Sequence, residues 1–81
     1  MKITVSAFSS VKTACGFTEE KFELNEKASV GDALKVLCGK YGNLSKMKGG
    51  LLFAVNDEYC DESRILKDGD ILAVFPPVSG G

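Results

Sequence analysis

A chain of 81 residues has room for one domain and, at this size, buries only about 60% of its unfolded surface, so its core is small. Apolar content of 44%, charged content of 26% and a formal net charge of −1 exclude a strongly basic chain with a general attraction to nucleic acid or anionic membrane. No apolar run of signal-peptide length follows Met1 and none approaches the roughly 20 residues of a membrane span, so the expected location is the cytoplasm.

Residues 2–8 alternate Ile3, Val5 and Ala7 with Thr4 and Ser6, the period of a half-buried strand. Residues 9–18, with Gly16, read as a loop. Residues 19–24 put Phe22 and Leu24 opposite Lys21 and Glu23, which predicts a second short strand antiparallel to the first. Ser29-Val30-Gly31-Asp32 has the form of a capping box with Asp in place of Glu, and apolar residues then recur at Val30, Ala33, Leu34, Leu37, Cys38 and Tyr41. That stripe predicts a helix ending at a left-handed Gly42, with 43–50 as a loop.

Leu51-Leu52-Phe53-Ala54-Val55 and Ile71-Leu72-Ala73-Val74-Phe75 are continuously apolar and are expected to be strands buried on both faces. Between them, Asn56-Asp57-Glu58 predicts a tight hairpin into a short strand at Tyr59-Cys60. Lys67-Asp68-Gly69-Asp70 predicts a turn. Five strands and one main helix imply an α+β fold, a mixed sheet with the helix across one face. Pairing of the first strand with the last would let the C-terminus leave from the centre of the sheet.

The charge is uneven. Residues 1–50 hold eight Lys against five acids, a balance of +3, whereas 51–81 hold Arg64 and Lys67 against six acids, a balance of −4. Solvated hairpin turns account for the acids between Asp57 and Asp70; an acidic face for a basic partner is the alternative. Cys15, Cys38 and Cys60 have no C-x-x-C spacing and no histidine beside them in the sequence, which supports no metal site and leaves a catalytic thiol without its usual base.

The chain closes on Pro76-Pro77-Val78-Ser79-Gly80-Gly81. Two prolines lock φ and stiffen the base, and two glycines leave a tip slim enough for a slot that admits no side chain. The expected division is a domain over 1–75 and an extended tail over 76–81, with the α-carboxylate of Gly81 as the candidate reactive group. Phe8 and Phe75 are read either as core packing or as an apolar docking patch beside the tail.

Leu51 to Asn56, Leu66 to Phe75 and the Pro-Pro-Val-Ser-Gly-Gly terminus together resemble the small, sulfur-carrying subunits of molybdopterin synthases, within the ubiquitin-like β-grasp sulfur carriers that include the thiamine-pathway carrier. The resemblance spans nearly the whole chain. It departs where the family shows Arg-Glu after the first strand, since Lys12 and Thr13 stand there. The resemblance implies a β-grasp fold. It also implies no independent activity and no stably bound cofactor: a ubiquitin-activating-type enzyme uses ATP to adenylate Gly81, and a persulfide donor converts it to a 1-thioglycine thiocarboxylate. The sulfur then passes to a pterin precursor inside a large subunit, in an assembly of two small and two large chains. Phe8, Phe75, Pro76, Pro77, Val78, Ser79 and Gly80 would meet the partners. Two other uses of the same tail stay open: conjugation through Gly81 to protein lysines, and sulfur delivery to thiamine or another product.

Overall fold

A computed structural model of the protein describes residues 1–77, so the expectations for Val78, Ser79, Gly80 and Gly81 lie outside the described residues. In chain order the elements are β1 (Lys2–Ala7), α1 (Ser9–Cys15), β2 (Glu19–Glu23), α2 (Val30–Lys40), α3 (Gly42–Ser45), a 3-10 turn (Lys48–Gly50), β3 (Leu52–Val55), β4 (Glu58–Cys60) and β5 (Ile71–Phe75). The strands form one sheet in the order β2-β1-β5-β3-β4, with β1 and β5 parallel and the other neighbours antiparallel. This is the α+β, β-grasp arrangement anticipated above. The last strand lies at its centre.

One face of the sheet carries the core. Ile3, Val5, Phe53, Val55, Leu72 and Val74 pack with Val30, Ala33, Leu34 and Leu37 of α2, and all are buried. Helix α2 begins where the capping box places it: the Ser29 hydroxyl accepts from Asp32 N–H at 3.1 Å and the Asp32 carboxylate accepts from Ser29 N–H at 2.9 Å. Those two bonds hold the Asp32 carboxyl below the usual range. At the other end of the helix, Tyr41 donates its hydroxyl to Glu20 at 2.7 Å, which ties α2 to β2 and pushes the phenol up to about 12.

Three sequence expectations need correction. Residues 9–15 form helix α1, because Val11 and Cys15, four apart, share a face that is buried in the core, and Gly16 at φ +80 ends it. The segment read as a loop over 43–50 holds α3 and the 3-10 turn. Its one apolar residue before Met47, Leu44, is wholly buried and docks the segment. Gly42 opens α3 and is not left-handed; Tyr41, in extended conformation, is the cap of α2.

Turns at the start of β5 hold it in register. Asn56 and Asp57 both have positive φ, the two-residue hairpin geometry whose twist matches the strands. The buried Asp70 carboxylate accepts from the Asn56 side-chain Nδ2 at 2.9 Å and from Lys67 N–H at 2.8 Å, while the Asn56 side-chain Oδ1 accepts from Ile71 N–H at 3.0 Å. Gly69, at φ +86, donates its N–H to the Lys2 carbonyl at 2.8 Å. The Asp-Gly-Asp stretch is therefore structural. Replacing Asp70 by Ala strands two donors, at a cost of about 2 kcal/mol. For a domain of this size the melting temperature is expected to fall by roughly 8–16 °C in a calorimetric or circular-dichroism scan. An unchanged melting temperature would show that this network does not hold the turn.

Candidate functional site: an aromatic face at the root of the tail

The opposite face of the sheet is open along β5 and at Leu52, which corrects the expectation that β5 is buried on both sides, while in β3 Ala54 is buried on this face and Phe53 and Val55 on the other. Strand β5 alternates, with Leu72 and Val74 buried, Ile71 48% exposed, and Ala73 and Phe75 half-buried. In β3 only Leu52 faces out to solvent, at 39% exposure. Register places Leu52 beside Phe75, Ala54 beside Ala73 and Tyr59, and Thr4 and Ser6 beside Ile71 and Ala73. The result is an apolar strip with a hydroxyl-bearing flank on β1.

Phe8 joins this face. It follows β1, its N–H donates to the Val74 carbonyl at 3.2 Å, and Ser9 at φ +50 turns the chain into α1. The Phe8 ring stacks on Phe75 with centroids 4.7 Å apart and planes 16° from parallel; Tyr59 lies 6.0 Å from Phe75 on the other side. Phe8 is 41% and Tyr59 74% exposed. Both phenylalanines thus belong to a surface cluster and not to the core. Offset aromatic pairs of this kind contribute about 0.5–1.5 kcal/mol beyond burial, so the cluster is a firm platform.

Pro76 follows Phe75 directly and is half-buried, and Pro77 is exposed. The tail therefore starts from the central strand, beside the aromatic cluster. The elements that bring the cluster together are far apart in sequence: Phe8 comes from the β1 exit, Tyr59 from the β4 edge and Phe75 from the end of β5. Leu52 and Ile71 were missed by the sequence reading. Their signal was present, since alternate residues of a strand share a face, but a run of five apolar residues hides the alternation.

The thiols lie elsewhere. Cys15 is buried, and burial raises both its pKa and that of half-buried Cys60, which keeps them protonated and weakly nucleophilic. Among the described residues no group of three or more His, Cys, Asp or Glu is arranged to hold a metal ion, and no helix is long and apolar enough to cross a membrane. The turn into β4, the β4 edge and the turn after it carry exposed Asp57, Glu58, Asp61 and Glu62, with Arg64 paired to Glu58 at 3.1 Å. These acids border the aromatic face on the Tyr59 side.

Comparison with known proteins gives the same picture over the whole length. The Chlamydomonas reinhardtii molybdopterin synthase sulfur carrier subunit is 35% identical over 83 residues, covering all of both chains. A Pyrococcus furiosus structure, provisionally assigned as molybdopterin converting factor subunit 1, superposes with a TM-score of 0.87 at 31% identity, covering 96% of this chain and 99% of that one. The H. volcanii small archaeal modifier protein 1 superposes at 0.84 with 26% identity, over 95% and 98% of the two chains. Residues 5–81 match the ThiS family, and the chain belongs to it.

Proposed function

We propose that this protein is the sulfur carrier subunit of a molybdopterin synthase. The observation that supports the reading is where the described chain leaves the sheet: the central strand ends at Phe75, inside an exposed aromatic cluster, and Pro76-Pro77 follow at once, ahead of Val-Ser-Gly-Gly in the sequence. Relatives across the full length bear that function in their names.

The chemistry follows from the terminus. A carboxylate is a poor electrophile, so an activating enzyme first joins the Gly81 carboxylate to the α-phosphate of ATP, releasing pyrophosphate. The terminal sulfur of a persulfide then attacks the acyl carbon with AMP as leaving group. Cleavage of the resulting S–S bond by a thiol leaves the thiocarboxylate. Its sulfur is a stronger nucleophile than the original oxygen, and the tail delivers it to a pterin precursor bound by the large subunit. Positioning supplies much of the rate, because a reacting group held in place acts as if at very high concentration. The apolar strip of Phe8, Leu52, Tyr59, Ile71 and Phe75 is the docking surface for both partners, which engage it in turn. Two sulfurs in the product call for two loaded carriers.

Intact mass of the protein purified from its own host tests this reading. A fraction carrying one oxygen-to-sulfur exchange at the C-terminus, able to form the dithiolene when mixed with the large subunit and the cyclic pterin precursor, is the expected result. A loaded protein that yields no dithiolene with any large subunit of its host would sink it. The second reading, a protein modifier joined through Gly81 to lysines, is favoured by the likeness to small archaeal modifier protein 1. Branched lysine adducts in the same spectra are its mark, since one acyl-adenylate serves both a persulfide and an amine.

A further inference from the structure

We infer that Gly50 is a positioning residue for the C-terminal tail: its lack of a side chain makes a seat for Pro77 and so sets the direction in which the chain leaves the domain. The inference rests on the sulfur-carrier reading for its consequence, but its geometry is independent of it. A Cβ placed on Gly50 would lie 2.7 Å from Pro77 Cγ and 2.9 Å from Pro77 Cβ. Carbon atoms in ordinary contact are about 3.5–4.0 Å apart, so the two groups would have to separate by about 1 Å. Gly16, Gly39, Gly42, Gly49 and Gly69 have nothing within 4 Å of the same position, and at Gly31 the nearest atom is 3.3 Å away. The left-handed glycines among the described residues are Gly16 and Gly69. What Gly50 supplies is therefore clearance and not an unusual backbone angle.

The contact extends the β3–β5 ladder. Leu52 stands opposite Phe75, and two residues further out along each chain Gly50 falls opposite Pro77. Proline has no N–H to donate, so this outermost rung is held by packing instead of a ladder bond. Neither side yields easily. Gly50 is held by its N–H to the Met47 carbonyl at 3.2 Å and by buried Leu51 next to it, while the Pro77 ring is fixed to a backbone whose φ is locked. Two points of contact, Leu52 with Phe75 and Gly50 with Pro77, define a line, and the reactive carboxylate lies four residues beyond the second point. A shift of Pro77 therefore moves the point from which those four residues start.

The test uses the full chain with its activating enzyme, read as pyrophosphate release, and with its large subunit, read as sulfur transfer. Gly50→Ala is expected to lower kcat/KM for both by about tenfold, within the ~100-fold that a 1 Å misplacement has cost elsewhere, while the melting temperature stays within a few degrees. Pro77→Gly removes both clashing atoms, so the double variant should be no slower than Pro77→Gly alone, a non-additivity that marks direct coupling. Defects that multiply, or a Gly50→Ala protein as fast as wild type, overturn the seat. The wild-type protein offers a check that needs no variant: a nuclear Overhauser contact between the Gly50 α-protons and the Pro77 ring, whose absence also overturns it. If wild type shows this contact yet never acquires sulfur, the sulfur-carrier reading fails while the seat stands.

Discussion

Deleting Gly81 is expected to abolish sulfur transfer while leaving the fold untouched. The deletion keeps a carboxylate, now on Gly80, but moves it back along an extended chain by about 3.5 Å. In a partner's active site that displacement exceeds the tolerance of a near-attack geometry several-fold, and 1 Å already costs up to roughly 100-fold. Thiocarboxylate in the intact mass and dithiolene formed with the large subunit should both fall below about 1% of wild type. Among the described residues, burial raises the thiol pKa of Cys15 and Cys60, so neither is a ready substitute for the carboxylate. Persistent product from the truncated chain would mean that the sulfur travels on a side chain and that the terminus is only a docking element.

Phe75→Ala is expected to weaken binding to the large subunit by roughly 30-fold, about 2 kcal/mol, the scale of an aromatic anchor at the centre of an interface. Phe75 lies between Phe8 and Tyr59, so its removal breaks both ring contacts and leaves Leu52 without its cross-strand partner. The stability cost is smaller, about 1–2 kcal/mol, because the ring is only half-buried. A domain of this length has roughly 4–12 kcal/mol in hand and stays folded. Calorimetric titration of the variant against the large subunit, beside a thermal scan, separates the two effects. Affinity that tracks the melting temperature, or does not change, would show that the aromatic cluster serves the domain and not the partner.

Much of the domain was legible because short-range rules and tertiary structure agree in it. Ser29 and Asp32 cap α2 through bonds that span three residues, and the stripe from Val30 to Leu37 meets the core as a helix of period 3.6 must. Asn56 and Asp57, with positive φ, make the favoured two-residue turn between antiparallel β3 and β4. What escaped is local structure supported from a distance. Helix α1 is about two turns long with no side-chain cap; Val11 and Cys15 hold it because β1 and β5 lie beneath them. Leu44 docks α3 in the same way, from within a polar stretch with no periodicity to read.

By itself, the sequence supplied the motif on which the proposed chemistry rests, Gly-Gly behind two prolines, beside cysteines that have no histidine in the chain to activate them. It also determined the five strands and helix α2, which depend on spacing and turn residues. Only the tertiary structure decided the surface that presents the tail. Phe8, Tyr59 and Phe75 are brought together by the parallel pairing of β1 with β5 and the antiparallel pairing of β3 with β4 and β5, contacts between residues up to 67 positions apart. Which side of β5 is buried was likewise settled by α2 covering one face, since five apolar residues in a row have no preferred side of their own. The same long-range closure sets Pro77 against Gly50, in the 3-10 turn some 27 residues earlier in the chain.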